Sequence, residues 1–208
     1  MSNYTIISEY VVNGNENGVI SEINVALAGN AAPLEIINQG LLNGMNVVGE
    51  KFANGEMFVP EVLMAARSMN AGMDIVKPLL AEGDVTSLGT VVIGTVKGDL
   101  HDIGKNLVVM MLESAGFKVI NLGTDIKKEA FIDAAKENDA DIIAMSAMLT
   151  TTMTYMNDII KSCKDAGIDA QYMIGGAPVT PAYAEKISAV YTADASTAVE
   201  KAKDLLNE

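Results

Sequence analysis

Seven residues, Gly98-Asp99-Leu100-His101-Asp102-Ile103-Gly104, hold the chain's single histidine between two carboxylates. One imidazole cannot build a multi-histidine metal site or share catalysis with a second histidine. It can give one axial bond to a metal that arrives with its other ligands in place. Asp99, two residues away, is suited to accept the second ring N–H, the usual support of a metal-bound imidazole. Taken singly, Asp99 also reads as a cap for a helix beginning near Asp102, and a lone histidine as an ordinary surface or core residue.

The elements around this run decide which reading gains weight. It follows the apolar stretch Val91-Val92-Ile93 and precedes a helical pattern. The same alternation continues to the end of the chain. Strands are predicted at 89–95, 117–122, 141–146, 171–175 and 189–192, and helices at 102–115, 127–138, 152–166, 181–188 and 195–206. Near-continuous apolar strands such as Ile142-Ile143-Ala144-Met145 are expected where helices cover both faces of a parallel sheet. Five strand–helix units predict an α/β fold with a doubly wound, flavodoxin-like or Rossmann-like sheet.

Ligands of such sheets bind outside the carboxyl ends of the strands. The segments there are 97–104, 123–125, 146–152, 175–178 and 191–193, rich in glycine, hydroxyls and small side chains. Lys97 is the only base in the loop leading to His101, and the last three segments have none, so a triphosphate is a poor fit. No Gly-Lys-Ser/Thr follows the first strand either. Thr150, Thr151 and Thr152 can simply start a helix, and Gly175-Gly176 can be a tight turn. Their fall on one sheet edge with His101 favours a shared site.

The N-terminal part reads as helical. Val62, Ala65, Ala66, Met69, Met73, Val76 and Leu80 recur at steps of three and four, giving one apolar face. Pro60 suits the first turn of that helix and Gly83 its end. Earlier helices are predicted near 18–28 and 34–48, with the first dozen residues adding a fourth, so a four-helix bundle is expected over 1–85. The polar joint 83–88 is a candidate hinge before the α/β domain at 89–208.

Composition narrows the function. The chain has 208 residues, half of them hydrophobic, and a net charge of −13, which argues against nucleic acid as a partner. Its one cysteine, Cys163, excludes an intrachain disulfide and reads as structural. Apolar runs are too short and broken to be a signal peptide or membrane span, so the cytoplasm is the expected location and no membrane is expected as a partner.

Asp99-x-His101-x-x-Gly104, Ser146-x-Met148 and Gly175-Gly176, in that order, resemble a cobalamin-binding signature. Gly44-Met45-x-x-Val48-Gly49-x-x-Phe52, Glu56-Met57-Phe58-Val59-Pro60 and Ala65-Ala66-Arg67-x-Met69 resemble the helical cap of methionine synthase and of small corrinoid proteins. The likeness spans nearly the whole chain. It departs in Met148, which stands for a leucine, in Val59, where a longer apolar residue is common, and in a shorter 187–195 stretch. The resemblance implies that His101 is the lower axial ligand of corrin cobalt, supported by Asp99 and by Thr152. It implies a cobalamin pocket lined by Asp102, Ile103, Gly104, Ser146, Met148, Leu149, Thr150, Gly175, Gly176, Ala177 and Tyr191, with Ala193 nearby, and covered on the upper face by Phe52 and Val59.

It further implies a methyl carrier for methanol, methylamine or quaternary-amine systems, not an enzyme on its own. Methylcobalamin would be its loaded state. Its partners would be a substrate-specific methyltransferase, an acceptor methyltransferase serving tetrahydrofolate or a thiol coenzyme, and a reductive-activation protein. The cobalamin subunit of a mutase and a cobalamin-based sensor are the alternatives.

Overall fold

The computed structural model describes residues 3–80 and 87–206. Gly83 and most of the 83–88 joint lie outside the described residues. The chain forms two compact units, Met1–Thr86 with Ser114–Gly116, and Ser87–Glu113 with Phe117–Glu208.

The first unit is helical: α1 (Asn3–Val12), α2 (Glu16–Ala28), a helical run over 33–53, and α5 (Val59–Val76), extended by a 3-10 turn at Lys77–Leu79. The run comprises α3 (Pro33–Glu35), a π-helical segment Ile36–Leu42 and α4 (Asn43–Ala53). It is longer than the expected 34–48 and ends at the Asn54-Gly55 pair. Asn15 accepts the Gly18 N–H at the start of α2, and Glu61 accepts the Phe58 N–H at the start of α5, so both helices open with an exposed donor satisfied. The buried stripe of α5 is Val62, Ala65, Ala66, Met69 and Val76, with Gly72 where Ile23, Leu41 and Val19 come close, and Ser68 buried with its hydroxyl donating to the Met64 carbonyl. Gly44 lies where α4 passes tightly against α1. A Cβ there would lie 2.8 Å from Val11 Cβ and 2.9 Å from the Ser8 carbonyl oxygen.

The second unit is a five-stranded parallel sheet of order β2-β1-β3-β4-β5. Its strands are β1 (Thr90–Thr95), β2 (Lys118–Asn121), β3 (Ile142–Ser146), β4 (Gln171–Gly175) and β5 (Val190–Thr192). Between and after them run α6 (Ile103–Ser114), α7 (Lys128–Glu137), α8 (Thr150–Met153), α9 (Tyr155–Asp165), α10 (Pro181–Lys186) and α11 (Ala195–Leu206). The expected helix 152–166 is therefore two pieces, parted at Thr154. Met156, Ile159, Ile160 and Cys163 recur at helical spacing and bury one face of α9 against Val92, Ile143, Met145 and Ile174. Val91, Ile93, Ile142, Ala144 and Met173 alternate with these and are also buried, so both sheet faces are covered. Cys163 is fully buried, in keeping with a structural role. No described helix is long and apolar enough to cross a membrane.

Candidate functional site

In the order β2-β1-β3-β4-β5, the chain first moves outward from β1 to β2 and then returns to β3 on the other side. The crevice at such a reversal, beyond the carboxyl ends of β1 and β3, is where doubly wound sheets hold ligands. The loop carrying His101 leaves β1 there, and the loop carrying Ser146 to Thr152 leaves β3. Thr95, Ser146 and Gly175 stand side by side in register at the ends of β1, β3 and β4.

The His101 loop is held by hydrogen bonds at almost every residue. Thr95 is fully buried and its hydroxyl donates to the His101 carbonyl at 2.9 Å. The Gly98 N–H donates to Asp125 Oδ1 at 2.7 Å, and the Asp125 N–H donates to the Asp99 carbonyl at 3.0 Å. Asp125 adopts a left-handed φ of 57° to do so, a conformation that short polar side chains tolerate best.

Asp99 has no exposed surface. It does not cap α6, which begins at Ile103. Its Oδ1 accepts the His101 ring Nδ1–H at 2.7 Å and the His101 backbone N–H at 3.2 Å. Its Oδ2 accepts the Met148 backbone N–H and the Thr152 hydroxyl, both at 2.7 Å. Burial pushes the carboxyl's pKa up. The bonds from Met148, the His101 ring, Thr152 and the His101 N–H outweigh that and hold it well below the ordinary carboxylate range. Bonds to an ionised group are worth about 1.5–3 kcal/mol each, so four of them offset the burial cost.

An ionised carboxylate only accepts. The proton on the Asp99 side of the ring is therefore on Nδ1, and the lone pair that a metal would take is the one on Nε2. The His101 side chain is 56% exposed, and no hydrogen bond to Nε2 is found among the described residues. Around it, Leu100 is 74% and Ile103 87% exposed, and Met148 and Leu149 are exposed as well. Four large apolar side chains left in water beside one oriented imidazole make a surface suited to a broad apolar ligand. Gly104 adds room, since a Cβ there would meet nothing within 4 Å. Among the described residues no group of three or more His, Cys, Asp or Glu can hold a metal ion, so a metal bound here brings its other ligands with it. Outward-facing nitrogen, apolar platform and open glycine together fit a metal macrocycle such as a corrin.

The remaining expected residues fall as follows. Asp102 is exposed and accepts the Asn106 side-chain N–H at 3.0 Å. Thr150, also exposed, begins α8, and Ser146 is half-buried. Gly175 and Gly176 leave no open cradle: a Cβ on Gly175 would come within 3.0 Å of Thr192, and one on Gly176, at φ 120°, would overlap the Ala147 carbonyl. They allow the ends of β3, β4 and β5 to pack closely. Ala177 is exposed beyond them. Tyr191 lies half-buried in β5, in register with Ile174; Ala193 is exposed after it. Phe52 and Val59 belong to the helical unit, Phe52 half-buried at the end of α4 and Val59 exposed at the start of α5 beside the still more exposed Phe58. Sequence reasoning missed Thr95 and Asp125. A hydroxyl at the last inward position of a strand and an aspartate after a Gly-Thr turn were the available signals.

Residues 89–202 match the family described as the B12 binding domain, and residues 5–77 match a second family with the same description. Dimethylamine corrinoid protein 1 of Methanosarcina acetivorans is 46% identical over 200 residues, covering 94% of this chain and 93% of the relative. Trimethylamine corrinoid protein 1 of Methanosarcina mazei is 47% identical over 186 residues, covering 87% and 86%. Among solved structures, the methanol:cobalamin methyltransferase complex of Methanosarcina barkeri superposes with a TM-score of 0.91 at 28% identity, covering 99% of this chain and 80% of that one. With the sheet edge built around one oriented imidazole, these likenesses establish that the chain belongs to the B12-binding corrinoid proteins of methyltransferase systems.

Proposed function

We propose that this protein carries a methyl group on corrin-bound cobalt between a methylamine-specific methyltransferase and an acceptor methyltransferase, and that His101 Nε2 would hold the metal. The observation that carries this reading is the closed His101–Asp99–Thr152 constellation beside an exposed apolar platform. When bound, the cofactor supplies a cobalt centre that accepts a methyl group from a donor and yields it to an acceptor. The chain's own work is to hold and orient. Asp99 keeps the proton on Nδ1 and so keeps the Nε2 lone pair outward. Thr152 and the Met148 N–H keep Asp99 ionised in its buried site. Leu100, Ile103, Met148 and Leu149 cover the macrocycle and exclude water, Gly104 leaves it room, and Ser146, Thr150, Gly175, Gly176, Ala177 and Tyr191 border its nucleotide tail. The methylamine class is favoured over methanol because the relatives reported at 46% and 47% identity are named for dimethylamine and trimethylamine. A reductive-activation protein is a third partner, and the cytoplasm the site of action.

The test is reconstitution of the full chain with hydroxocobalamin, reduction, and addition of mono-, di- or trimethylamine with and without the matching methyltransferase. Methylation, read by absorbance, is expected with one amine and only when its methyltransferase is present. The His101→Ala protein is expected to retain corrinoid but lose the histidine-ligated spectrum. A wild-type protein that binds no corrinoid, or a His101→Ala spectrum identical to wild type, would overturn the reading.

A further inference from the structure

Lys105 breaks two local rules at once. It is only 3% exposed, although lysine is almost never buried without an acidic partner. It is also the third residue of α6, where the helix dipole disfavours a cation. Among the described residues no carboxylate lies within salt-bridge distance of Lys105, and Asp102 acts on it only through space. Its ammonium instead donates to two neutral amide oxygens, Asn106 Oδ1 at 2.6 Å and Asn121 Oδ1 at 2.8 Å. A fold gains little stability from such a group, so its value lies in what it connects.

Both branches lead to His101. On one side, Asn121 Oδ1 also accepts the Gly123 N–H at 3.1 Å, and the Gly123 carbonyl accepts the Thr95 N–H at 2.9 Å. The Thr95 hydroxyl then donates to the His101 carbonyl at 2.9 Å. On the other side, the Asn106 amide donates to Asp102 Oδ2 at 3.0 Å, and the Asn106 N–H donates to the Asp102 carbonyl at 2.7 Å. The bonds thus form a ring that runs through the His101–Asp102 peptide; Lys105 closes it with two short bonds, beside a long one of 3.5 Å from the Asn121 amide to Asn106 Oδ1. We infer that Lys105 is a positioning residue: its buried ammonium locks the β2–α7 loop to the start of α6 and so fixes the backbone from which His101 reaches a metal. This rests on the metal-holding role proposed for His101, but the ring is testable without any cofactor.

The variant is Lys105→Met, which keeps the stem and removes the donors and the buried charge. In the full-length apo protein, amide exchange at Gly123, Thr95 and Asp125 is expected to rise at least tenfold, while the α9 amides of Ile159 and Ile160 do not change. Reconstituted with hydroxocobalamin and reduced to cobalt(II), the variant is expected to show a mixture of histidine-ligated and unligated signals where wild type shows the ligated one. Should Lys105→Met fail to fold, Asn121→Ala, at an exposed strand end, opens the same ring and is held to the same two readouts. Unchanged exchange at Gly123 and Thr95, or full histidine ligation despite faster exchange, would overturn the inference. Failure of the wild-type protein to bind corrinoid would instead count against the proposed function, leaving the exchange result to judge the ring.

Discussion

Asp99 is the residue on which the site turns, because four donors converge on its two oxygens. In Asp99→Asn one oxygen becomes an NH2 group. Facing the ring, that group would force the Nδ1 lone pair inward and the proton onto Nε2, where it blocks a metal bond. Facing Met148, it leaves a buried backbone N–H without an acceptor, at about 1–3 kcal/mol. Corrinoid titration of Asp99→Asn should show ligation by His101 weakened about 10- to 100-fold; unaltered ligation would speak against the tautomer argument. Cys163 offers a second check at this scale. Burial pushes its thiol up from 9.0 to about 11, so the fold favours the neutral form. Its contribution is complete below the unfolded value and is lost as pH rises toward about 11. Urea unfolding at pH 8 and pH 10.5 should show a fall in stability that is smaller in Cys163→Ala. The histidine, its carboxylate and Thr152 were legible in the sequence because the motif spaces them. Thr95, Asp125 and Asn121 were not, since which strand-end side chains face the loop is fixed only when the strands align in register.

At the scale of elements, periodicity carried the reading. All five strands lie within one residue of their expected bounds, because their apolar runs end abruptly at glycine or polar residues. The π-helical segment Ile36–Leu42 left no trace in the pattern, since one extra residue in a turn merely blurs the apolar stripe. The close passage of α4 against α1 was equally silent: Gly44 reads as a weak helix former until its neighbours are known. There, Gly44→Ala would press a methyl against Val11 and the Ser8 carbonyl, and the backbone cannot retreat as a side chain can. A cost of about 1–3 kcal/mol is expected, seen as a lower midpoint in thermal unfolding followed by circular dichroism. An unchanged midpoint would mean that the helices can separate freely at this contact.

Across the whole molecule, the two family matches, residues 5–77 and 89–202, leave only a short interval between them. The helical and α/β parts are thus recognised as the two portions of one kind of protein. What the sequence could not supply is the reason one imidazole suffices: a carboxyl edge where Asp99 is buried and ionised while His101 and its apolar neighbours stay open to a large ligand. The solitary histidine also makes the decisive measurement simple. Growth on [15N]histidine labels a single imidazole in the chain, at residue 101. The labelled protein is reconstituted with hydroxocobalamin, reduced to cobalt(II) and examined by electron paramagnetic resonance. If His101 is the axial ligand, the three-line nitrogen splitting of the unlabelled protein becomes a two-line splitting. A three-line pattern that survives labelling would place another nitrogen on cobalt and contradict the account.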